Sequence, residues 1–310
     1  MDASTPALTF RLAQSGDFDA VVKLSEGISD GHDYLPLTFH KWLQRDDLAV
    51  LLAYQSGDEL VGLQACFVVD EGRTLIRRAE RILVELRGQG LVRQLREFAR
   101  KYVREHYPSL QRERFTTRHV ASSLDKKRIL EYGILSYHVE KKSYGQAEIS
   151  KTNSVEIEIC SKEYFSDVVL SGAVRAQLFP DNIIVVNWCP FEPTRSNIDH
   201  MLQEADEMFA EKCDDDALPR SFSSGASSPT VKFVEWHAIF YSKDPVLFEA
   251  HLLQLKRACE VIDGDFIFLS SQDKSLTPSA RKVMEEKLQL KVNDWPLEKT
   301  INFYEKDASK

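Results

Sequence analysis

Hydrophobic positions in the first 140 residues alternate between a two-residue period and a three-to-four-residue period, the marks of strands and helices. Leu8 to Leu12 reads as a short strand. Phe18, Val21, Val22 and Leu24 follow at helical spacing, with Asp17 in the N-cap place. Asp30-Gly31-His32-Asp33-Tyr34-Leu35-Pro36 carries turn chemistry, and Thr38 is placed to cap a short helix through Trp42 and Leu43. Ala49–Tyr54 and Leu60–Val69 read as strands joined by the polar connection 55–59. A turn at Asp70-Glu71-Gly72-Arg73 then predicts an antiparallel strand over Thr74–Val84. Next comes Arg87-Gly88-Gln89-Gly90 and a helix with Leu91, Leu95, Phe98, Ala99, Tyr102 and Val103 on one stripe. Arg93, Arg96, Arg100 and Arg104 lie on its other side. Phe115–Val120 reads as a strand, Asp125–Tyr132 as a short helix closed by Gly133, and Ile134–Val139 as a strand.

The second half predicts a strand at Val155–Cys160 and a helix over Lys162–Gln177. A β-branched buried strand follows at Asn182–Trp188, then an amphipathic helix over Ile198–Lys212. Residues 213–230, with three aspartates and then Ser, Gly and Pro in density, read as a mobile loop. Beyond it come Val231–Tyr241 (strand), Pro245–Ile262 (helix), Phe266–Ser270 (strand), Pro278–Leu288 (helix) and Lys299–Tyr304 (strand). Both halves end on a strand, helix, strand, short helix, strand series. The pattern suggests one α/β unit used twice, in domains spanning 1–148 and 149–310.

Composition narrows the class. The 310 residues hold 43% hydrophobic and 28% charged residues and carry a net charge of −8, which fits a soluble globular protein of two domains. Net acidity argues against a nucleic-acid partner. No apolar run approaches the roughly 20 residues of a membrane helix, and the first residues lack the basic, apolar pattern of a signal peptide. Five scattered cysteines fit a reducing interior, so a cytoplasmic location is expected.

The glycine loop carries the sharpest chemistry. Two close glycines between a strand and an amphipathic helix allow a tight turn that presents successive N–H groups at a positive helix end, a site suited to phosphate or pyrophosphate. A Gly-Lys-Ser/Thr does not follow, and Arg93 stands where a third Rossmann glycine would be. A tight turn with no ligand is the competing reading. Zinc-type Cys or His spacing and a Gly-x-Ser-x-Gly elbow are both missing, so no metal site or hydrolase is expected. His237 and His251 read as packing residues, and Trp188 and Trp236 as core anchors.

The loop and its surroundings resemble the GNAT superfamily of acetyl-CoA-dependent N-acetyltransferases. The signature Arg/Gln-x-x-Gly-x-Gly/Ala is represented by Arg87-Gly88-Gln89-Gly90-Leu91-Val92, with Val92 in the place of the small final residue. The runs Ser25-Glu26-Gly27-Ile28, Asp30 to Pro36, Val185 to Trp188 and Pro190 to Asn197 are similar to the histidine N-acetyltransferase branch. In the strand before the loop, Arg78 stands at the branch's acidic position and Val84 at its proline.

The resemblance implies an α/β fold with a mixed sheet. A GNAT-like catalytic N-terminal domain would be followed by a degenerate GNAT-like C-terminal domain that lacks a glycine loop. It implies acetyl-CoA as cosubstrate, held by Ile82, Leu83, Val84, Arg87, Gly88, Gln89, Gly90, Leu91 and Val92. The implied reaction acetylates the α-amine of a free amino acid, histidine or a similar small-molecule amine. Glu80, with Glu85 as an alternative, is the candidate base, and each could instead be a paired strand carboxylate. Tyr132 is the candidate donor of a proton to the leaving thiolate, or a packed aromatic. His32, Asp33, Tyr34 and Arg81 are candidate acceptor-binding residues, with Arg195 as another carboxylate partner. Arg93 and Arg96 could reach cofactor phosphates, while Arg100 and Arg104 read as a solvated face. A GNAT-shaped binding module without transfer, and a peptide N-acetyltransferase, stay open as alternatives.

Overall fold

A computed structural model of the chain describes residues 8–55, 59–118, 125–144, 155–213, 217–295 and 299–308. It divides into two compact units. The first is Met1–Phe115 with Pro229–Lys232 and Glu305–Lys310; the second is Thr116–Ser228 with Phe233–Tyr304.

The first unit runs β1 (Leu8–Leu12), α1 (Phe18–Leu24), α2 (Leu35–Trp42), β2 (Leu48–Gln55), β3 (Glu59–Val69), β4 (Thr74–Ile82) and α3 (Leu91–His106), and reaches into β5 (Arg112–Thr117). Strands β1 to β5 are neighbours in chain order. The first three pairings are antiparallel, and β4–β5 is parallel because α3 makes the crossover. The apolar stripe of α3 behaves as its spacing predicts, since Leu91, Leu95, Ala99 and Val103 are all buried. Leu95 and Leu91 pack with Ala53, Val61 and Ile82, while Ala99 and Val103 pack with Leu51, Cys66, Val68 and Leu75. Helix α2 begins at Leu35 rather than Thr38, with Pro36 in its first turn, where the missing N–H costs nothing. Asp17 does not cap its helix; its carboxylate is held by Arg11 and by the Gln14 N–H.

The second unit continues from the end of β5 with β6 (Lys127–Val139), α4 (Lys141–Tyr144), β7 (Ile157–Ile159), α5 (Lys162–Tyr164) and α6 (Gly172–Leu178). Then come β8 (Ile184–Val186), β9 (Cys189–Phe191), α7 (Ile198–Glu204), β10 (Glu207–Glu211), β11 (Phe222–Pro229) and β12 (Val234–Tyr241). Helices α8 (Pro245–Ala250) and α9 (Leu253–Val261), β13 (Phe266–Gln272), α10 (Thr277–Lys282), the short β14 (Lys291–Val292) and β15 (Thr300–Asp307) complete it. The last three residues of β15 belong to the first unit. Strand order is β7-β10-β11-β12-β13-β6, with β12–β13 parallel across the α8–α9 crossover. The first unit's β4–α3–β5 crossover therefore recurs, as the repeated series predicts. No described helix is long and apolar enough to cross a membrane.

Several predicted elements differ. The stretch Asp125–Tyr132 is not a helix: β6 begins at Lys127 and carries Tyr132 and Gly133 within it, in register with β13 through Gly133 and Gln272. Gly133 is no helix stop; a Cβ there would meet the Thr277 hydroxyl at 2.3 Å. The helix over Ile198–Lys212 ends at Glu204, and β10 takes its second half, paired between β7 and β11. Local helical spacing loses there to pairing on both edges. The helix over Lys162–Gln177 runs through a π turn at Phe165–Val169 and is broken at Ser171, which is extended, before α6. Asn182–Trp188 supplies one short strand of a hairpin with β9, turning through left-handed Asn187 and Trp188.

The predicted mobile loop 213–230 instead contains β11, buried from Phe222 to Ala226. Its small residues serve packing: a Cβ on Gly225 would sit 2.3 Å from Trp236 and 2.6 Å from Gln254. The predicted boundary at 148/149, residues 119–120 of the predicted fifth strand and the Asp214–Asp216 run lie outside the described residues. The strand assigned to the end of the first domain, β6, belongs to the second unit.

Gly225→Ala should lower stability by about 1–3 kcal/mol, the usual scale of core overpacking, in chemical or thermal unfolding.

Candidate functional site

The first unit's site is organised by a bulge in β4. Leu63 pairs with Arg81 and Ala65 with Arg78, so Gln64 alone faces both Ala79 and Glu80. Ala79 takes the left-handed conformation at φ 49°. One extra residue reverses the alternation of side chains along the rest of the strand. Glu80 thereby joins Arg77 on one face, and Arg81 joins Arg78 on the other.

On the first face, Glu80 is clamped. Arg96 of α3 donates to it from Nε at 2.6 Å and Nη2 at 2.5 Å, and Arg77 Nη1 donates at 2.9 Å. Arg77 also pairs with Glu113, which is 1% exposed and which Arg100 reaches at 3.3 Å. Burial pushes the Glu80 carboxyl up, but hydrogen bonds and charge from Arg96 and Arg77 outweigh it and hold the group below the usual glutamate value. A carboxylate held this way stays ionised and is a weak base. Two expectations for the basic face of α3 change as well. Arg96 is committed to Glu80 rather than turned to a cofactor phosphate, and Arg100 is a part-buried ion-pair partner rather than a solvated charge. Arg93 is exposed and pairs loosely with Glu97.

Beyond the bulge lies the glycine loop. The strand ends at Ile82, Leu83 follows, and Val84–Leu86 make one 3-10 turn. Arg87 is extended and donates from Nε to the Ile82 carbonyl. Gly88 and Gly90 have φ of 80° and 81°, a conformation that favours glycine, and Gly90 directly precedes α3. A Cβ on Gly88 would meet nothing within 4 Å. The loop is exposed, and the first N–H groups of a 16-residue helix have no intrahelical partners, so the cradle fits a pyrophosphate. Val92 packs on the Leu91, Leu95 and Ile82 cluster with Leu83 and Leu86, so its branched side chain is occupied by packing. Glu85, the alternative base, is exposed in the 3-10 turn.

The other face holds the Asp30–Pro36 segment. Asp33 is 2% exposed. Its Oδ1 accepts from Arg81 Nη2 at 2.9 Å and from the Leu35 N–H at 3.0 Å, while its Oδ2 is buried without a partner. Arg81 lies 6.0 Å from the centre of the Tyr34 ring, Tyr34 packs against Trp42, and Arg78 lies over Trp42 at 5.2 Å. His32 is buried beside them in sequence. His32, Asp33, Tyr34 and Arg81 are thus brought together in one unit. The contribution of Arg78 and Trp42 had no sequence signal, because it depends on the bulge.

The other candidates lie in the second unit. Tyr132 sits in β6, not on a helix, edge-on to Tyr241 and Phe303. Burial, with Tyr241 beside it, raises its phenol well above the usual value. Arg195 is exposed and paired with Asp167. The turn equivalent to the glycine loop is closed: the Asp244 side chain accepts from the Val246 N–H at 2.8 Å, so a carboxylate already caps the α8 N-terminus. His237 and His251 are buried, bonded to Ser271 and Ser223, and pushed down to about 3 by burial. Trp236 is a core anchor at 0% exposure, while Trp188 is only half-buried and stacks on His237. Among the described residues no group of side chains has the makings of a metal site.

A family model described as histidine N-acetyltransferase, C-terminal, matches residues 153–273. The chain is 30% identical over 203 residues to a histidine N-acetyltransferase of Xenopus tropicalis, covering 61% of each chain. It is 28% identical over 211 residues to the probable N-acetyltransferase 16 of Homo sapiens, covering 64% of this chain and 57% of that one. The matches therefore span less than two thirds of these relatives' length. Among solved structures, a tandem GNAT protein from the clavulanic acid biosynthesis pathway aligns at TM-score 0.55 and 12% identity, covering 97% of this chain and 99% of its own. A GCN5-related N-acetyltransferase from Sphaerobacter thermophilus aligns at 0.58 and 9% identity, covering 97% and 96%. The fold is that of the GNAT class, mixed α/β with two GNAT-like domains. Within that class the chain is similar to histidine N-acetyltransferases over part of its length.

The Glu80 clamp has a pH signature. Its folded carboxyl is a stronger acid than the ordinary value of 4.5, so its contribution is present above that value and is lost as pH falls through the folded one. Glu80→Gln should cost about 2 kcal/mol at pH 7, on the scale of charged hydrogen bonds. The gap from the unmodified protein should close in unfolding measured progressively below pH 4.5.

Proposed function

We propose that the protein is an N-acetyltransferase that moves acetyl from acetyl-CoA to the α-amine of a free amino acid, histidine or one like it. The observation that carries this reading is the exposed Gly88–Gly90 turn at the open N-terminus of α3. Ile82, Leu83 and Val84 at the strand end, with Arg87 to Val92, are the proposed acetyl-CoA contacts. The names of the relatives support the same reaction, and the buried, unpartnered Asp33 Oδ2 supports a cationic or N–H-bearing acceptor.

In this reading the neutral amine attacks the thioester carbonyl carbon, a C–N bond forms, the C–S bond breaks and the thiolate leaves. A free α-amine has a pKa of about 7.7–8.0, so an appreciable neutral fraction exists near pH 8 and solvent can take the proton. Glu80, clamped and ionised, acts by positioning Arg77 and Arg96 rather than as a strong base. The departing thiolate takes its proton from solvent. The clamp on Glu80 also favours a second reading, a GNAT-shaped module that binds acetyl-CoA without transfer.

Protein mixed with acetyl-CoA and a panel of free amino acids and short peptides should release thiol with a free amino acid. Thiol release with peptides alone, or acetyl-CoA binding without release, would replace this reading by one of its alternatives. Gly90→Ala, strained at φ 81°, should raise the KM for acetyl-CoA about tenfold or more.

A further inference from the structure

The first unit includes four residues from far along the chain, Pro229–Lys232, immediately after β11. They are strapped to the acceptor segment through its backbone. The Val231 N–H donates to the Asp33 carbonyl at 3.2 Å, and the Lys232 N–H donates to the Gly31 carbonyl at 3.1 Å. The Lys232 stem crosses Gly31 so closely that a Cβ there would lie 2.4–2.7 Å from its Cγ, Cδ and Cε atoms. Gly31, at φ 96°, is a position that favours glycine by its backbone conformation. Lys232 is exposed, and its side-chain stem lies against Gly31 of the segment that holds Asp33.

A free amino acid is distinguished from a peptide or an amine by its α-carboxylate. Binding it takes a cation beside the groups that read the rest of the molecule. Arg81 is committed to Asp33, and Arg78 lies over the Trp42 ring. Asp33 keeps one buried acceptor atom open. We propose that Lys232 supplies the cation for the α-carboxylate of the acceptor, with Asp33 Oδ2 accepting from the acceptor's N–H or cationic group. Lys232 is then a specificity-determining residue delivered to the loop by the strap. The inference rests on the proposed acetylation of free amino acids and adds the group that selects for them.

The test compares a free amino acid with its carboxamide, which lacks the negative charge, in the full-length protein. The unmodified protein should prefer the acid. Lys232→Gln should raise the KM for the acid about tenfold or more, the scale of a charge-assisted hydrogen bond, while leaving the KM for the carboxamide and for acetyl-CoA in place. Lys232→Arg should recover most of the preference for the acid. Calorimetric binding of acid and carboxamide to the same variants gives the comparison without turnover.

Equal losses for acid and carboxamide would mean a purely structural strap and overturn the inference. So would an unchanged preference in Lys232→Gln, or its loss in Arg78→Gln instead, while the proposed function stood. An unmodified protein that neither acetylates nor binds any free amino acid would overturn both.

Discussion

The first unit's site depends on one extra residue in β4. A regular strand would place Arg78 and Glu80 on one face and Arg77 and Arg81 on the other. With Ala79 in a left-handed conformation opposite Gln64, the pairs are exchanged. Glu80 turns to α3 and meets Arg96, tying the helix behind the glycine loop to the strand before it. Arg81 turns to the other side and meets Asp33, tying the Asp30–Pro36 segment to the same strand. The bulge thus anchors both the helix behind the glycine loop and the Asp30–Pro36 segment to a single strand, and the adjacent parallel β4–β5 pair is the topology that the α3 crossover imposes.

Charge is distributed to match. The chain is acidic overall, yet the arginines around β4 and α3 are largely neutralised by partners: Glu80 and Glu113 on one face, Asp33 on the other. Removing either partner of such a pair leaves a buried charge uncompensated, which is costly in a low-dielectric interior. Gly90 gives α3 no side-chain cap, whereas Asp244 caps the helix at the matching turn in the second unit. Two copies of one topology therefore differ in chemistry through a single feature. A glycine turn leaves helix N–H groups available to an anion, and an aspartate supplies the anion itself.

Much was legible from pattern. The stripe Leu91, Leu95, Ala99, Val103 and the two glycines located α3 and its cradle, because helix amphipathicity and positive φ are local properties. The strands β1 to β4 were legible for the same reason, through short-range alternation and turn residues. The resemblance carried on Asp30 to Pro36 pointed to a segment whose aspartate does pair with Arg81. The misreadings fall where local preference and tertiary pairing disagree. Residues 207–211 continue a helical pattern but are drawn into a sheet by neighbours on both sides. The serine-rich run 222–228 looks like a linker, yet its small side chains are what Trp236 requires beside it.

The sequence by itself determined the class: the α/β alternation, its repetition, and a glycine turn before an amphipathic helix, all of which rest on contacts within a few residues. Tertiary structure decided what each charged group does. Glu80 is clamped rather than free because a bulge reverses strand parity, a change of one residue that no periodicity reveals. Tyr132 is a strand residue because β6, which carries it, is paired along its edges with β13 and β15. The Lys232 backbone meets Gly31 because the chain returns to it some two hundred residues later. Ionisation states and ion-pair partners depend on distance in space, and along this chain those distances are set by pairings the local pattern does not encode.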